Sequence, residues 1–391
     1  THCMGYNDMG QIGESQGQSR GITDGLSAAT GLAGKTYTQI EAGNRHTCGL
    51  TAQGHVECWG DYALGQLGAG QATSSSTPVP IPLGQNANAV ATQITTTDDY
   101  ACAVLQPSGD EDVGDVWCWG SSHRGAHGAW DMESPTIEPQ AIQMWVDDGQ
   151  LQQPLKVKRL WSGPGASCGQ IGDGIVSCWG ESEIGLSLNP DANSSRLRLN
   201  NFENNPALNQ NHLTINEKLI CAIDDGQVKC WGAPSALGRR ELGIDNEEPV
   251  TIDLDGSSVN LPGAALALAT RQVDLSDSQP EDPLPPALTC AVLDTGQLWC
   301  WGGSEHGLVD GDPNAPTPRR VQADTISDAV DVEIGEGKIC VLRAGGYISC
   351  WGDDDLTSFE INPGFPGAPG GGDPSPRPIN QMSLPDGTIN H

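Results

Sequence analysis

The chain has 391 residues, with 51 Gly, 27 Pro, 13 Cys and 11 Trp but only three Phe. Its 50 acidic residues against 19 basic ones give a net charge of −31, which repels phosphate backbones and anionic membrane surfaces and so excludes nucleic acid as a direct partner. No run approaches 18 apolar residues, so membrane insertion is excluded as well.

Taken in chain order, the sequence opens with Thr1-His2-Cys3-Met4-Gly5, which lacks the basic and apolar regions of a signal peptide and reads as a processed or trimmed end. Gly10-Gln11-Ile12-Gly13 follows, and then an apolar strand runs from Ile40 towards Cys48. Between Cys48 and Cys58 lie two short apolar stretches and a Gly-containing turn. A three-residue loop at Ala52–Gly54 puts Gly54 in the left-handed position such hairpins need, sets Leu50 opposite Val56, and sets Cys48 opposite Cys58. Trp59-Gly60 comes next, then Gly65-Gln66-Leu67-Gly68, then a Pro-containing strand at Thr77-Pro78-Val79-Pro80-Ile81.

The same order recurs. Cys102 pairs with Cys118 ahead of Trp119-Gly120, with the relic Gly125-Ala126-His127-Gly128 behind it. Cys168 pairs with Cys178 ahead of Trp179-Gly180. Cys221 pairs with Cys230 ahead of Trp231-Gly232, where a two-residue Asp225-Gly226 loop again makes the cysteines face each other. Cys290 with Cys300 precedes Trp301-Gly302, Gly307-Leu308 and Thr317-Pro318, and Cys340 with Cys350 precedes Trp351-Gly352. Counting Cys3 as a degenerate copy, the second cysteines stand at 3, 58, 118, 178, 230, 300 and 350, a mean period of about 58.

Opposed strand residues lie ~4.5–5.5 Å apart, inside the window for a disulfide. Each bridge closes a short loop and contributes roughly 2–3 kcal/mol on the chain-entropy account. Zinc is the rival reading of so many cysteines, but no C-x-x-C knuckle occurs to partner the one H-x₃-H spacing, at His123 and His127. Six disulfides point to an oxidising compartment: the cell exterior or cell surface, with the periplasm as the other choice. Alternation along a strand places Cys58 and Trp59 on opposite faces, so a sheet covered on both sides accounts for the row Trp59, Trp119, Trp179, Trp231, Trp301 and Trp351 as core.

These residues resemble the RCC1 repeat: an apolar strand, Gly, His-x-Cys-Ala-Leu, a Gly turn, Val-x-x-Trp-Gly and Gly-Gln-Leu-Gly. The resemblance covers nearly the whole chain. It implies an all-β fold, a seven-bladed β-propeller of about four short strands per blade, here with an intra-blade disulfide in most blades and spanning 1–391 as one domain. The Cys-Trp-Gly form looks like a secreted bacterial branch of that family. The family's best-known activity, guanine-nucleotide exchange with chromatin binding, transfers poorly to an acidic disulfide-rich chain. Closer in compartment is a secreted propeller that inhibits a β-lactamase with loops at one propeller end.

Closure of the ring leaves a question at Cys3, which has no upstream partner and no cysteine after Cys350 to meet it. Three readings stand: an incomplete seventh blade, loss of a terminal segment, or a bond from Cys3 to another molecule. The Pro376–Leu384 stretch resembles the outer strand that leads into the absent hairpin, within a Pro/Gly-rich tail at 362–391. Variable segments lie at Asn189–Asn211 and Asp274–Pro286, and loops of this kind carry binding on rigid scaffolds. Asn193-Ser194-Ser195 is a formal glycosylation sequon, read as unoccupied.

Catalysis finds little support. Gly165-Ala166-Ser167-Cys168-Gly169 matches a nucleophile elbow, but Ser167 aligns with Thr47 and a second strand follows where an elbow needs a helix. Asp353-Asp354-Asp355 and Asp310 with Asp312 supply oxygens of the kind Ca²⁺ takes, without the twelve-residue loop of a strong site, so only weak Ca²⁺ binding stays open. No cofactor is expected. The reading is a secreted or cell-surface, non-catalytic structural or adhesive protein that associates with itself. The alternative is a protein-binding module or inhibitor acting through its loops.

Overall fold

A computed structural model describes residues 7–17, 29–70, 73–83, 90–106, 113–121, 136–146, 151–171, 175–180, 196–199, 213–216, 219–232, 257–272, 287–302, 319–321, 326–335, 338–346, 348–352 and 377–378. They divide into two compact units, the first centred on residues 1–181 and the second on 199–357. Among the described residues all regular structure is antiparallel strand, save one 3-10 turn at Thr30–Leu32. Cys3, the Gly125–Gly128 relic, Gly307-Leu308, the sequon at Asn193, Asp310, Asp312, Asp353–Asp355 and the Asp274–Pro286 insertion lie outside the described residues, as does the tail apart from 377–378.

In the first unit, β1 (Gln39–Ala42), β2 (His46–Leu50), β3 (Val56–Gly60) and β4 (Ser75–Pro80) form one sheet in chain order. The next contains β5 (Val90–Thr96), β6 (Tyr100–Gln106) and β7 (Gly114–Gly120), with an outer edge shared by β8 (Thr136–Ala141) and β11 (Lys156–Val157). An added hairpin, β9 (Gln143–Val146) and β10 (Leu151–Pro154), interrupts that edge. The third sheet is β12 (Arg159–Gly163), β13 (Ala166–Ile171), β14 (Ile175–Gly180) and β15 (Arg196–Leu199). The second unit holds three sheets. They are β16 (Leu213–Ile215) to β19 (Ser257–Val259), with β17 (Leu219–Asp224) and β18 (Gln227–Gly232) between; β20 (Ala265–Gln272), β21 (Ala287–Leu293), β22 (Leu298–Gly302) and β23 (Arg319–Val321); and β24 (Ala329–Gly335), β25 (Lys338–Arg343), β26 (Ile348–Gly352) and β27 (Arg377–Pro378).

The hairpins follow from turn chemistry. Thr51 donates its N–H to His55 across the Ala52–Gly54 loop, Gly54 has φ +77°, and Leu50 stands opposite Val56. Asp225 at φ +47° and Gly226 at +77° form the two-residue turn between β17 and β18. Each of the six sheets places its two cysteines directly opposite, with Cα atoms 4.0–4.1 Å apart, and joins them. The position one residue on, Trp59, Trp119, Trp179 or Trp301, is buried on the opposite face. The side chains of Trp231 and Trp351 lie outside the description.

Three contacts join one sheet to the next. First, the carbonyl of the hairpin-turn glycine accepts the N–H of an alanine that starts the following sheet: Gly54 from Ala91 at 3.0 Å, Gly226 from Ala265 at 2.8 Å, Gly296 from Ala329 at 3.0 Å. Each alanine sits just before a β-bulge. A side chain on Gly54 would start 2.6 Å from the Val90 Cβ, so turn conformation and close approach both require glycine there. Second, Gln39 on β1 grips the backbone of Ile94 on β5, its amide nitrogen donating to the Ile94 carbonyl at 2.8 Å and its oxygen accepting the Ile94 N–H at 3.0 Å. Gln93 treats Leu160 on β12 identically, at 2.5 and 3.0 Å. Third, the Gly-Gln-Leu-Gly turns receive the tryptophan of the following sheet. The Trp59 indole N–H donates to the Gln11 carbonyl, and that of Trp119 to the Gln66 carbonyl, both at 2.9 Å.

Among the described residues the indole nitrogens of Trp179 and Trp301 find no hydrogen-bond partner. Replacing Trp119 by Phe strands the Gln66 carbonyl and should cost about 1–3 kcal/mol beyond the lost ring area. Guanidinium unfolding of wild type and Trp119→Phe reads the cost; a loss no larger than the ring area accounts for would remove the hydrogen bond from the account.

Candidate interaction surface

The clearest candidate surface is in the first unit, at the end where the Trp-Gly segments run into the Gly-Gln-Leu-Gly turns. These two turns are built alike. Gly13 donates to the Gly10 carbonyl and Gly68 to the Gly65 carbonyl, both at 2.9 Å, with all four glycines at positive φ. The Gln side chain braces its own turn from inside: Gln11 Oε1 accepts the Met9 N–H at 2.9 Å, and Gln66 Oε1 accepts the Leu64 N–H at 2.8 Å. The main-chain oxygen is left to hold the next tryptophan. Below the first turn, buried Asn7 donates to the Glu14 and Ser15 carbonyls and accepts the Ile12 N–H, while buried Glu14 accepts the N–H and hydroxyl of Thr30.

On this base sits a small mixed patch. Arg45 pairs with Asp8, and Gln11 Nε2 donates to the other Asp8 oxygen at 2.8 Å. Partial burial pushes the Asp8 carboxyl up, but those two hydrogen bonds and the guanidinium charge outweigh it and hold the group below its usual value. Asp61 donates its N–H to the Arg45 carbonyl, and the Ser74 hydroxyl lies within reach of both Met9 Sδ and Asp61 Oδ1. Tyr62, next along, is one of the few large apolar side chains exposed in the described residues. Tyr, Met and Arg are residue types that protein interfaces favour.

Under the patch lies His46, fully buried, with neither ring nitrogen hydrogen-bonded among the described residues. Burial pulls its pKa down to about 4, the Asp61 charge opposing only in part. Glu41 on β1 moves the other way: burial pushes it up to about 7 although Gln39 donates to it at 2.9 Å.

Ser167 does not form a nucleophile site. It lies fully buried on β13, opposite Trp179, and its hydroxyl exchanges hydrogen bonds with the Tyr100 hydroxyl at 2.9 Å and the Ser162 hydroxyl at 3.2 Å. Tyr100 also donates towards the carbonyls of Gly163 and Ala166, so this cluster ties β6 to the β12–β13 corner. Among the described residues no three His, Cys, Asp or Glu side chains gather as a metal site, and no helix is long and apolar enough to cross a membrane. The disulfides are consistent with an oxidising environment.

The sequence reading passed over His46, Tyr62 and the paired glutamines. A signal existed for the last: Gln39-Ile40 and Gln93-Ile94 recur at one register, two residues before the position facing the first cysteine.

Residues 37–66 match the Regulator of chromosome condensation (RCC1) repeat. No curated protein matches the chain in sequence. In structure the chain is similar to Prp20p from Saccharomyces cerevisiae, studied for its binding to Gsp1p and histones, with TM-score 0.69, 15% identity, and coverage of 98% of this chain and 86% of that one. Yeast RCC1 (Prp20) with Kap60 bound matches at TM-score 0.66 and 16% identity, covering 98% and 84%. Human WBSCR16 matches at 0.60 and 14%, covering 87% and 80%. At these identities the likeness shows the fold, an all-β RCC1-type propeller.

His46 supplies a pH test. Its folded pKa lies below the unfolded value of 6.5, so the folded state binds fewer protons between those values and its stability contribution, complete above about pH 6.5, is lost as pH falls towards 4. The loss is on the order of 3 kcal/mol. Glu41, raised from 4.5 to about 7, works oppositely, losing stability as pH rises through that interval. The measurement is thus the difference between wild type and His46→Phe in denaturant midpoint at pH 7 and pH 4.5. The gap should narrow on acidification, and a constant gap would show that His46 does not titrate.

Proposed function

Taking an RCC1-type β-propeller as the premise, we propose that residues 1–391 form one propeller of about seven repeats that acts outside the cell, or at its surface, as a non-catalytic protein-binding scaffold. The observation that carries this is the Tyr62–Met9–Asp8–Arg45 patch, held on a base whose two described turns are each braced by their own Gln side chain. Prp20p, similar in fold, is described by its binding to Gsp1p and histones, so protein recognition is a use to which this architecture is put. Six disulfides support a secreted location. The buried state of Ser167 and His46 favours a surface that binds over one that reacts.

A structural or adhesive role through self-association is the second reading, supported by the odd cysteine count: twelve are paired and Cys3 is left over. Non-reducing and reducing light scattering on wild type and Cys3→Ser separates the two. A reductant-sensitive dimer or polymer lost in Cys3→Ser supports assembly.

For the binding reading, wild type and Tyr62→Ala are compared in quantitative capture from the source medium. A partner held near one-to-one by wild type should bind the variant about tenfold or more weakly, as expected of an aromatic anchor, at unchanged thermal stability. Equal retention by both proteins would remove this end of the propeller as the site.

A further inference from the structure

Three carboxylates are buried among the described residues, and two of them are engaged on both oxygens. Glu14 accepts the Thr30 N–H on one oxygen and the Thr30 hydroxyl on the other, at 2.9 and 2.7 Å. Glu57 takes the Lys35 ammonium on one oxygen at 2.6 Å and the Tyr37 hydroxyl on the other at 2.8 Å. Asp61, 6% exposed, differs. Its Oδ1 accepts the Ala63 N–H at 3.1 Å and the Ser74 hydroxyl at 3.4 Å, while Oδ2 takes no hydrogen bond among the described residues and is not sealed from solvent. No cation pairs with it among them either: Arg45, whose carbonyl receives the Asp61 N–H, has its guanidinium on Asp8. On the inner side stands His46, fully buried and uncharged at neutral pH, because burial pulls its pKa down to about 4. The Asp61 charge is thus unmatched where an unpaired carboxylate is costly. The site lies beyond the end of β3 rather than on a sheet face, and every group named belongs to the first unit.

We propose that Asp61 anchors a single lysine of the protein that binds the Tyr62 patch, its ammonium on Oδ2 and its stem along Tyr62 and Met9. This rests on the reading of that patch as a protein-binding surface and names what it recognises. The number of open acceptors selects the cation. Arginine meets a carboxylate as a fork on both oxygens, and Oδ1 already holds two donors; an ammonium is a point charge that needs one oxygen. Calcium takes about six to eight oxygens, and among the described residues no three His, Cys, Asp or Glu side chains gather. The aliphatic stem of lysine covers apolar surface while its head stays polar, which suits a site with a phenol ring and a thioether at its rim. A net charge of −31 steers cationic partners towards the chain.

The test pans a phage library of random linear peptides on the intact wild-type chain, with Tyr62→Ala as counter-selection, and titrates synthetic versions of the enriched peptides. These should share a lysine and should bind Asp61→Asn about tenfold or more weakly than wild type. Norleucine in place of that lysine should cost as much on wild type and nothing further on Asp61→Asn, since a shared contact is lost only once. Arginine in its place should bind several-fold more weakly. Asp61→Asn keeps the Oδ1 acceptor and removes a charge that no cation matches, so its melting temperature should equal or exceed that of wild type. Enriched peptides without lysine, arginine peptides that bind as tightly, or a norleucine loss that persists in Asp61→Asn would overturn the lysine anchor and leave the patch standing. Failure to enrich any peptide that needs Tyr62 would overturn both. A drop in the melting temperature of Asp61→Asn would also overturn the proposal, by assigning the carboxylate to a cation of the chain itself.

Discussion

The constraint on which this structure rests is that an inner strand has two sides and its own sheet satisfies only one. The backbone groups on the far side of β5 and β12, and the aliphatic side chains that accompany them, must be met by the sheet before. A glutamine amide suits the first task because it carries the donor and the acceptor of a peptide group in one plane. It continues hydrogen bonding across a gap where a further strand would not fit. The carbonyls of Gly54, Gly226 and Gly296 do comparable service at the hairpin tips.

Disulfides and seams divide the work. Every described bridge lies within one sheet, between opposed strands at 4.0–4.1 Å, so none of them holds one sheet to the next. Their stabilisation acts on the unfolded chain by removing loop entropy. Association of consecutive sheets is left to hydrogen bonds of ordinary strength and to aliphatic burial, which act only in the folded state. This is where substitution of a single polar atom, such as the Trp119 indole N–H, is felt.

How much of this could be read from the sequence depended on distance along the chain. Turn chemistry is local, so Gly54 and Asp225-Gly226 disclosed their loops and therefore the register of Cys48 with Cys58 and Cys221 with Cys230. The Pro-containing outer strands were legible because Pro tolerates only an edge, where β4 places Pro78 and Pro80. The role of Gly-Gln-Leu-Gly was not. Both it and Trp-Gly stood out, but their meeting point is a main-chain oxygen, which any residue possesses and no composition betrays. Reading the tryptophans as plain core therefore caught the burial of Trp59 and Trp119 and missed their bonds. The Gln39 and Gln93 clamps span 55 and 67 residues, beyond any local pattern. The β9–β10 hairpin interrupts an edge without breaking the sheet, because Val116 donates to the Leu155 carbonyl on the far side of the insertion and accepts from Ile142 on the near side.

A net charge of −31 opposes compaction by self-repulsion, and that opposition is spread over the whole surface. Staples that act on the unfolded ensemble offset it without adding one favourable contact to the surface, which leaves the exposed residues free of a stabilising duty. The described seams of the first unit, in contrast, are built from neutral groups: amides, indoles, hydroxyls and aliphatic side chains. Salt screens surface charges but not these buried contacts. Ionic strength should thus act on what the surface attracts and leave the sheets joined. In such a molecule the groups that join one sheet to the next are distinct from those that set the surface charge.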